Sequence, residues 1–274
     1  MKKINGKTVV KQAKRAIKER KKRQKEQFSI RYDRVKQWQP KPANQINMNK
    51  IRYLPKEIIN AGLSKQAMAV YPVLCCEADF EEDKEFQISR ENLSRKSGLH
   101  FNGVKSGIDE LEQSELCSQR LHTEGKRHFY LYTVYFVRKH MMKEENYFSF
   151  HNAIIESGIW NELMPRAKVL YLAMRIYAKF DVQLYAEIEY ECESNELSEF
   201  MDIKSNDFVN RKWDVLINIS LNKICEKVGV ERSNRKRILR QLEHFGLIET
   251  IDNQLSWYKV YLKPKVLATE KEPY

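Results

Sequence analysis

Apolar and polar positions change period several times between Phe86 and Tyr135, and each change marks an element. Phe86-Gln87-Ile88 alternates like a short strand. Ser89 can cap a helix, because its hydroxyl can accept one of the unpaired amides of the first turn. A short helix over 90–96 then carries Leu93, and Gly98 supplies the permissive backbone of a tight turn. A second helix follows, with Val104, Ile108 and Leu111 forming one buried stripe at helical spacing. Two strands, Leu116 to His122 and Arg127 to Tyr135, flank a turn at Thr123-Glu124-Gly125-Lys126.

The same order recurs later in the chain. Ile58-Ile59 with Gly62-Leu63 is echoed by Ile154-Ile155 with Gly158-Ile159, and Ala67 with Tyr71 by Ala167 with Tyr171. Ile88-Ser89 is echoed by Ile219-Ser220, and Ser97-Gly98-Leu99 by Val228-Gly229-Val230. Ile108 and Leu111 correspond to Leu239 and Leu242, and Glu115-Leu116 to Gly246-Leu247. Ordered matches of this length indicate a duplicated unit. Each unit opens on a helix. The first is expected over 64–80 and kinked or broken at Pro72. The second starts at Pro165, where a missing amide costs little, and carries Val169, Leu172, Ile176 and Phe180 along one stripe. In the second unit a strand is predicted from Leu216 to Ile219. Helices follow over 221–228 and 232–245, then a hairpin of 248–251 and 255–262. Ile238, Leu239 and Leu242 should pack inward. Arg235 falls where the first unit has the packing residue Val104.

Charge adds an arm to this picture. The 274-residue chain has a formal net charge of +12, and residues 1–36 alone hold 15 Lys or Arg against 3 Asp or Glu. The body is therefore neutral and the basic character belongs to the N-terminal stretch. Its run KERKKRQKEQ has no apolar residue, so it is expected to be disordered or a solitary helix. Such an arm suits a polyanionic partner, with Lys18, Arg20, Lys21, Lys22 and Arg23 as phosphate contacts. Trp38-Gln39-Pro40-Lys41-Pro42 reads as a linker. The expected organisation is an arm and linker over 1–45, units over 46–145 and 146–265, an acidic insertion over 181–215 within the second, and a tail over 266–274. The N-terminus lacks a secretory apolar segment, and no apolar run of about 18 residues is present to cross a membrane. Five cysteines without the spacing of a zinc clip read as reduced thiols.

Strand, helix, turn, helix and hairpin in this order resemble the winged helix-turn-helix. The resemblance implies an α+β, predominantly helical fold with two tandem winged domains, each presenting one helix to the DNA major groove and a wing to the backbone. On the second such helix Arg232, Ser233, Asn234, Lys236, Arg237 and Arg240 are left for solvent or DNA. Arginine pairs with guanine and asparagine with adenine in bidentate fashion. The first helix offers Phe101, Asn102, Lys105 and Ser106, with Asp109 beside them, and its wing offers Arg120, Lys126 and Arg127. DNA and a partner protein both remain open as its target.

Glu187, Glu189, Glu191 and Glu193 alternate with Ile188, Tyr190 and Cys192, which predicts a strand with an acidic face. It would either repel other strands or mask the arm. No phosphate loop, nucleophile elbow or metal-spaced histidine pair occurs. No catalytic residue, metal, cofactor or small-molecule substrate is expected, and the chain is read as a non-enzyme.

Two winged domains with a basic arm resemble the replication initiators of plasmids and phages. That resemblance covers about 46–265 and rests on the two helix-turn-helix patterns, Ile88 to Leu111 and Ile219 to Leu242. It implies sequence-specific binding of iterated origin DNA in the bacterial cytosol or nucleoid. Host replication proteins and a second copy of the chain are its further implied partners, and it implies no membrane. A winged-helix transcription regulator and a replisome-loading or scaffold protein are the alternatives.

Overall fold

The computed structural model describes residues 19, 51–78, 84–125, 127–135, 146–190, 212–216, 221–252 and 257–267. The expectations for the arm and linker, for Lys126, for Ile219-Ser220 and for the tail beyond 267 lie outside the described residues. Residues 40–274 form one compact unit, and its fold is α+β.

Its centre is a pair of 13-residue helices, α1 (Lys65–Glu77) and α6 (Pro165–Tyr177), packed on each other. Residues 67–76 and 167–175 are buried on every side. Their lack of an amphipathic pattern follows, since a helix covered all round needs no polar face. Ser64 caps α1, its hydroxyl accepting from Ala67 N. The helix runs unbroken through Pro72, so of the kink or break expected there the break does not occur. Burial on all sides holds it in place, where each enclosed Leu or Val contributes about 1.5–3 kcal/mol.

Around this pair the chain repeats itself. In the first half, β1 (Ile51–Pro55) and a 3₁₀ turn (Lys56–Ile59) precede α1. Then come β2 (Phe86–Gln87), α2 (Arg90–Ser97), α3 (Phe101–Gln113), β3 (Cys117–Glu124) and β4 (Arg127–Val134). In the second half, β5 (Tyr147–His151) and two short helices, α4 (Ala153–Glu156) and α5 (Ile159–Glu162), precede α6. Next are α7 (Val182–Tyr190), β6 (Trp213–Leu216), α8 (Leu221–Lys227), α9 (Arg232–His244), β7 (Ile248–Asp252) and β8 (Trp257–Tyr261). The two three-stranded antiparallel sheets have the same order, β2-β4-β3 and β6-β8-β7. Single bonds repeat as well: Leu116 N donates to Leu111 O and Leu247 N to Leu242 O, both at 2.9 Å. Tyr135 N to Leu116 O and Tyr261 N to Leu247 O form a second such pair, at 3.1 and 3.0 Å.

The halves are joined by more than the chain. β1 pairs antiparallel with β5, Tyr53 opposite Ser149. Trp160 Nε1 donates to Ala69 O at 2.9 Å, next to the Met68 carbonyl that Pro72 cannot serve. Lys168, fully buried, crosses from α6 to donate to Ser97 O and to Leu163 O, both at 2.7 Å. Gly98 has φ +66°, and a Cβ there would lie 2.1 Å from Asn161 O, so this turn needs glycine for its backbone and for the close approach of α5.

Three sequence expectations are corrected. The acidic stretch is not a strand: α7 covers Glu187 and Glu189, while Glu191 and Glu193 lie outside the described residues. The Asp181 carboxylate accepts from Leu184 N at 3.0 Å and starts the helix. Tyr185 and Ala186 pack beside Trp213, Val215 and Tyr261, with Ile188 one turn on. Helical spacing of those apolar residues overrides the two-residue alternation of glutamates, which are weak strand formers. A strand, β6, already begins at Trp213, inside the stretch read as an insertion; of the strand expected from Leu216 to Ile219 only Leu216 is among the described residues. Trp213 supplies the reason: its indole fills the core under Tyr185, ring centroids 4.8 Å apart. Lastly, Leu239 is only half-buried, and Ile238 and Leu242 make the inner stripe of α9.

Candidate nucleic-acid interface

α9 is positioned from behind. Ile238 and Leu242 are fully buried under it. Gln241 reaches to the start of α6, its Oε1 accepting from Met164 N at 3.1 Å and its Nε2 donating to Glu162 O at 3.2 Å. Arg235, at the place of Val104, turns along α8: it donates to Asn222 Oδ1 and lies beside Cys225. The long aliphatic stem lets an arginine occupy a packing position with its charge led outward.

The opposite face of α9 is basic. Arg232, Ser233, Lys236, Arg237 and Arg240 are exposed, and Asn234 is half-buried. The helix carries five Arg or Lys against one Glu. Glu231, at its N-cap position, gathers donors around itself. Asn234 Nδ2 donates to Glu231 Oε2 at 3.1 Å, Ser233 Oγ to the same oxygen at 3.5 Å, and Arg166 from α6 to Oε1 at 3.3 Å. The Arg166 and Glu231 side chains are 36% and 63% exposed, so this ion pair is exchangeable, within the roughly 0–1 kcal/mol of surface pairs. Partial burial, and then the charge of Arg166, hold the Arg237 guanidinium below its ordinary value. Two cations thus sit close together beside α9.

The corresponding face of the first half is different. Phe101, Asn102, Lys105 and Ser106 are exposed and Asp109 half-buried on α3. Asn102, Lys105, Ser106 and Asp109 line, with Glu110 and Gln113, a shallow open depression. α3 has one Lys against three Asp or Glu, the reverse of α9. Glu110 is engaged at the start of α1, where its carboxylate accepts from Ser64 N and from Ser64 Oγ. Glu112 holds β3 through Gln119 N and Nε2, both at 2.8 Å.

The hairpin of β3 and β4 turns tightly, Glu124 opposite Arg127. Arg127 is exposed at its tip. Arg120 forms a two-pronged ion pair with Glu85 and is therefore already neutralised; the pair holds the Glu85 carboxyl below its ordinary range. Leu121 and Phe101 are 57% and 45% exposed. Arg90, which the sequence did not single out, stacks 4.0 Å from the Tyr130 ring centroid and 5.7 Å from that of Phe101. Arg166 and Glu231 were also missed. Their signal was the repeat itself, which sets Arg166 against Gln66, Arg237 against Ser106 and Gln241 against Glu110.

Among the described residues no group of three or more His, Cys, Asp or Glu could hold a metal ion, and no helix is long and apolar enough to cross a membrane. No protein-family model, curated protein or solved structure matches the chain.

Proposed function

We propose that the protein is a cytoplasmic, sequence-specific binder of double-stranded DNA built from two winged helix-turn-helix units, and that it serves as a replication initiator on repeated sites. The observation that carries this reading is the outward basic face of α9, fixed from behind by Ile238, Leu242 and Gln241. A helix so held can enter the major groove as a rigid body, and its N-terminal residues Arg232, Ser233 and Asn234 are those nearest base edges in helix-turn-helix docking. Lys236, Arg237 and Arg240 suit backbone phosphates. The order β6, α8, α9, β7, β8 supports the winged reading, with the β7–β8 hairpin as wing. The repeat of the same order in one compact body suits a chain that reads two stretches of one duplex.

The test is selection of bound duplexes from a random pool, followed by footprinting. A protected, repeated site supports initiation. A single unrepeated site points to transcription control instead. No retention of any duplex at low salt overturns DNA binding.

A second reading applies to the first half alone, where an acidic α3 and exposed Phe101 and Leu121 favour a protein contact. Replacing Lys105 by Ala and Phe101 by Ser would then leave DNA affinity unchanged.

A further inference from the structure

We infer that Arg166 is a DNA phosphate contact outside the basic helix, and that Glu231 is an internal anion holding its place until the phosphate arrives. The inference rests on the DNA-binding reading of α9. Arg166 projects from α6 to Glu231, the residue before α9, and its charge is felt by Arg237 about one and a half turns along that helix. Two guanidinium groups on neighbouring helices repel, and an anion between or beside them relieves that repulsion. Beside Arg166 that anion is the Glu231 carboxylate, which takes donors from Arg166, Asn234 and Ser233 at once. Guanidinium, amide and hydroxyl donors are those that grip a phosphate diester.

The internal repeat shows that this arrangement belongs to one half. At the equivalent places the first half has Gln66 for Arg166, Ser106 for Arg237, His100 for Glu231 and the carboxylate of Glu110 for the neutral Gln241. The first half thus closes this corner with its own carboxylate on Ser64. The second has Arg166 there, paired with an exposed, weakly held glutamate. A phosphate displacing Glu231 from Arg166 would also free Asn234 to turn toward a base. The barrier is low because both partners of the pair are solvated. On DNA the displaced carboxylate faces a polyanion, so Glu231 opposes binding to any duplex and makes Arg166 and Asn234 available only where other contacts compensate.

The experiment uses the full chain and measures affinity for selected and for scrambled duplex over a series of salt concentrations. Arg166→Ala should weaken both by the same factor and make the slope of log affinity against log salt shallower by about 0.9, one phosphate contact. Glu231→Gln should strengthen both, most on the scrambled duplex, and the gain should vanish in the Arg166→Ala background. Thermal melting of each variant without DNA checks the fold, and both positions are exposed enough to leave it unchanged. An unchanged slope for Arg166→Ala in a protein that still binds duplex overturns the inference and leaves the DNA reading standing. A gain for Glu231→Gln that persists without Arg166 overturns the place-holding role. A parent chain that retains no duplex overturns the DNA reading itself.

Discussion

Glu110 and Gln241 occupy equivalent places in the two halves, each reaching from its own helix to the N-cap residue of a central helix. The Glu110 carboxylate accepts from Ser64 N at 2.6 Å and Gln241 Oε1 accepts from Met164 N at 3.1 Å. These bonds tie α3 to the start of α1 and α9 to the start of α6. A carboxylate near a helix N-terminus also gains from the helix dipole, whereas an amide does not. Glu110→Ala should therefore cost about 1.5–3 kcal/mol, the range for bonds to a charged group, and Gln241→Ala about 0.5–1.5 kcal/mol. Urea unfolding of the two variants gives the comparison; equal losses would mean that the charge of Glu110 contributes nothing.

Two glycines of α3 should respond to alanine with opposite signs. At Gly107 a Cβ would lie 2.9 Å from the backbone carbonyl of Gln66, so α3 and α1 must move apart, at about 1–3 kcal/mol for an overpacked core. At Gly103 the nearest atom is Leu99 Cβ at 3.6 Å, an ordinary contact. There alanine removes the entropic cost of glycine in a helix and should stabilise by about 0.5–1 kcal/mol. Chemical denaturation of both variants checks the pair.

The second half is held by a buried ion pair, Arg175 Nη1 to Asp214 Oδ2 at 2.9 Å, with the two side chains 2% and 5% exposed. Arg175 also donates to Ser149 Oγ at 2.9 Å and to Val260 O at 3.3 Å, so one guanidinium ties α6 to β5, β6 and β8. Arg175→Met or Asp214→Leu alone should cost about 3–5 kcal/mol, since each leaves a buried charge without its partner. The double variant should recover much of that loss, and a strictly additive result would show the charges to be independent.

Four described cysteines, Cys75, Cys76, Cys117 and Cys225, are free and buried. Burial pushes the Cys76 and Cys117 thiols up to about 12, and raises those of Cys75 and Cys225 as well. Thiols raised in the folded state favour folding below their unfolded value of about 8.5. That contribution fades as pH rises from there through about 12. In a Cys192→Ser variant, a thiol reagent at pH 8 should therefore react slowly until urea is added, and the melting temperature should fall steadily above pH 9. Rapid labelling of the native variant would contradict the burial.

The sequence revealed the parts of this fold that depend on local periodicity. The turns at Gly98 and Gly229, the cap at Ser89 and the stripe Val104, Ile108, Leu111 all stand where their spacing places them. The α7 helix was hidden because a run of alternating glutamates imitates a strand, and only the partners Trp213 and Tyr261 reveal which residues are turned inward. The pairing of β1 with β5 and the reach of Lys168 to Ser97 join positions far apart in the chain, which no local pattern encodes. At the candidate interface the basic helix was legible, because Arg232, Lys236, Arg237 and Arg240 lie on one short stretch and need no distant residue to place them on a common surface. The neutralisation of Arg120 by Glu85 and the grouping of Arg166, Asn234 and Ser233 on Glu231 were not, because each depends on the approach of separate elements.

The basic face of α9 yields the sharpest prediction about function. Arg232 and Asn234 lie in its first turn, and Arg240 two turns further on. In helix-turn-helix docking the first turn faces base edges while later residues pass beside the backbone. Arg232→Ala and Asn234→Ala should each cost about 1–3 kcal/mol on the selected site, the range for a bidentate base contact, and should narrow the gap to a scrambled duplex. Asn234 is bound to Glu231 in the free protein, so its effect includes the loss of that bond and should be the smaller of the two. Arg240→Ala should weaken both duplexes alike, because a phosphate contact positions without specifying. Competition between the two duplexes at fixed salt separates these outcomes. If Arg232→Ala lowers both affinities by one factor, α9 grips the backbone without reading bases, and any sequence preference must then come from α3 or from the hairpins.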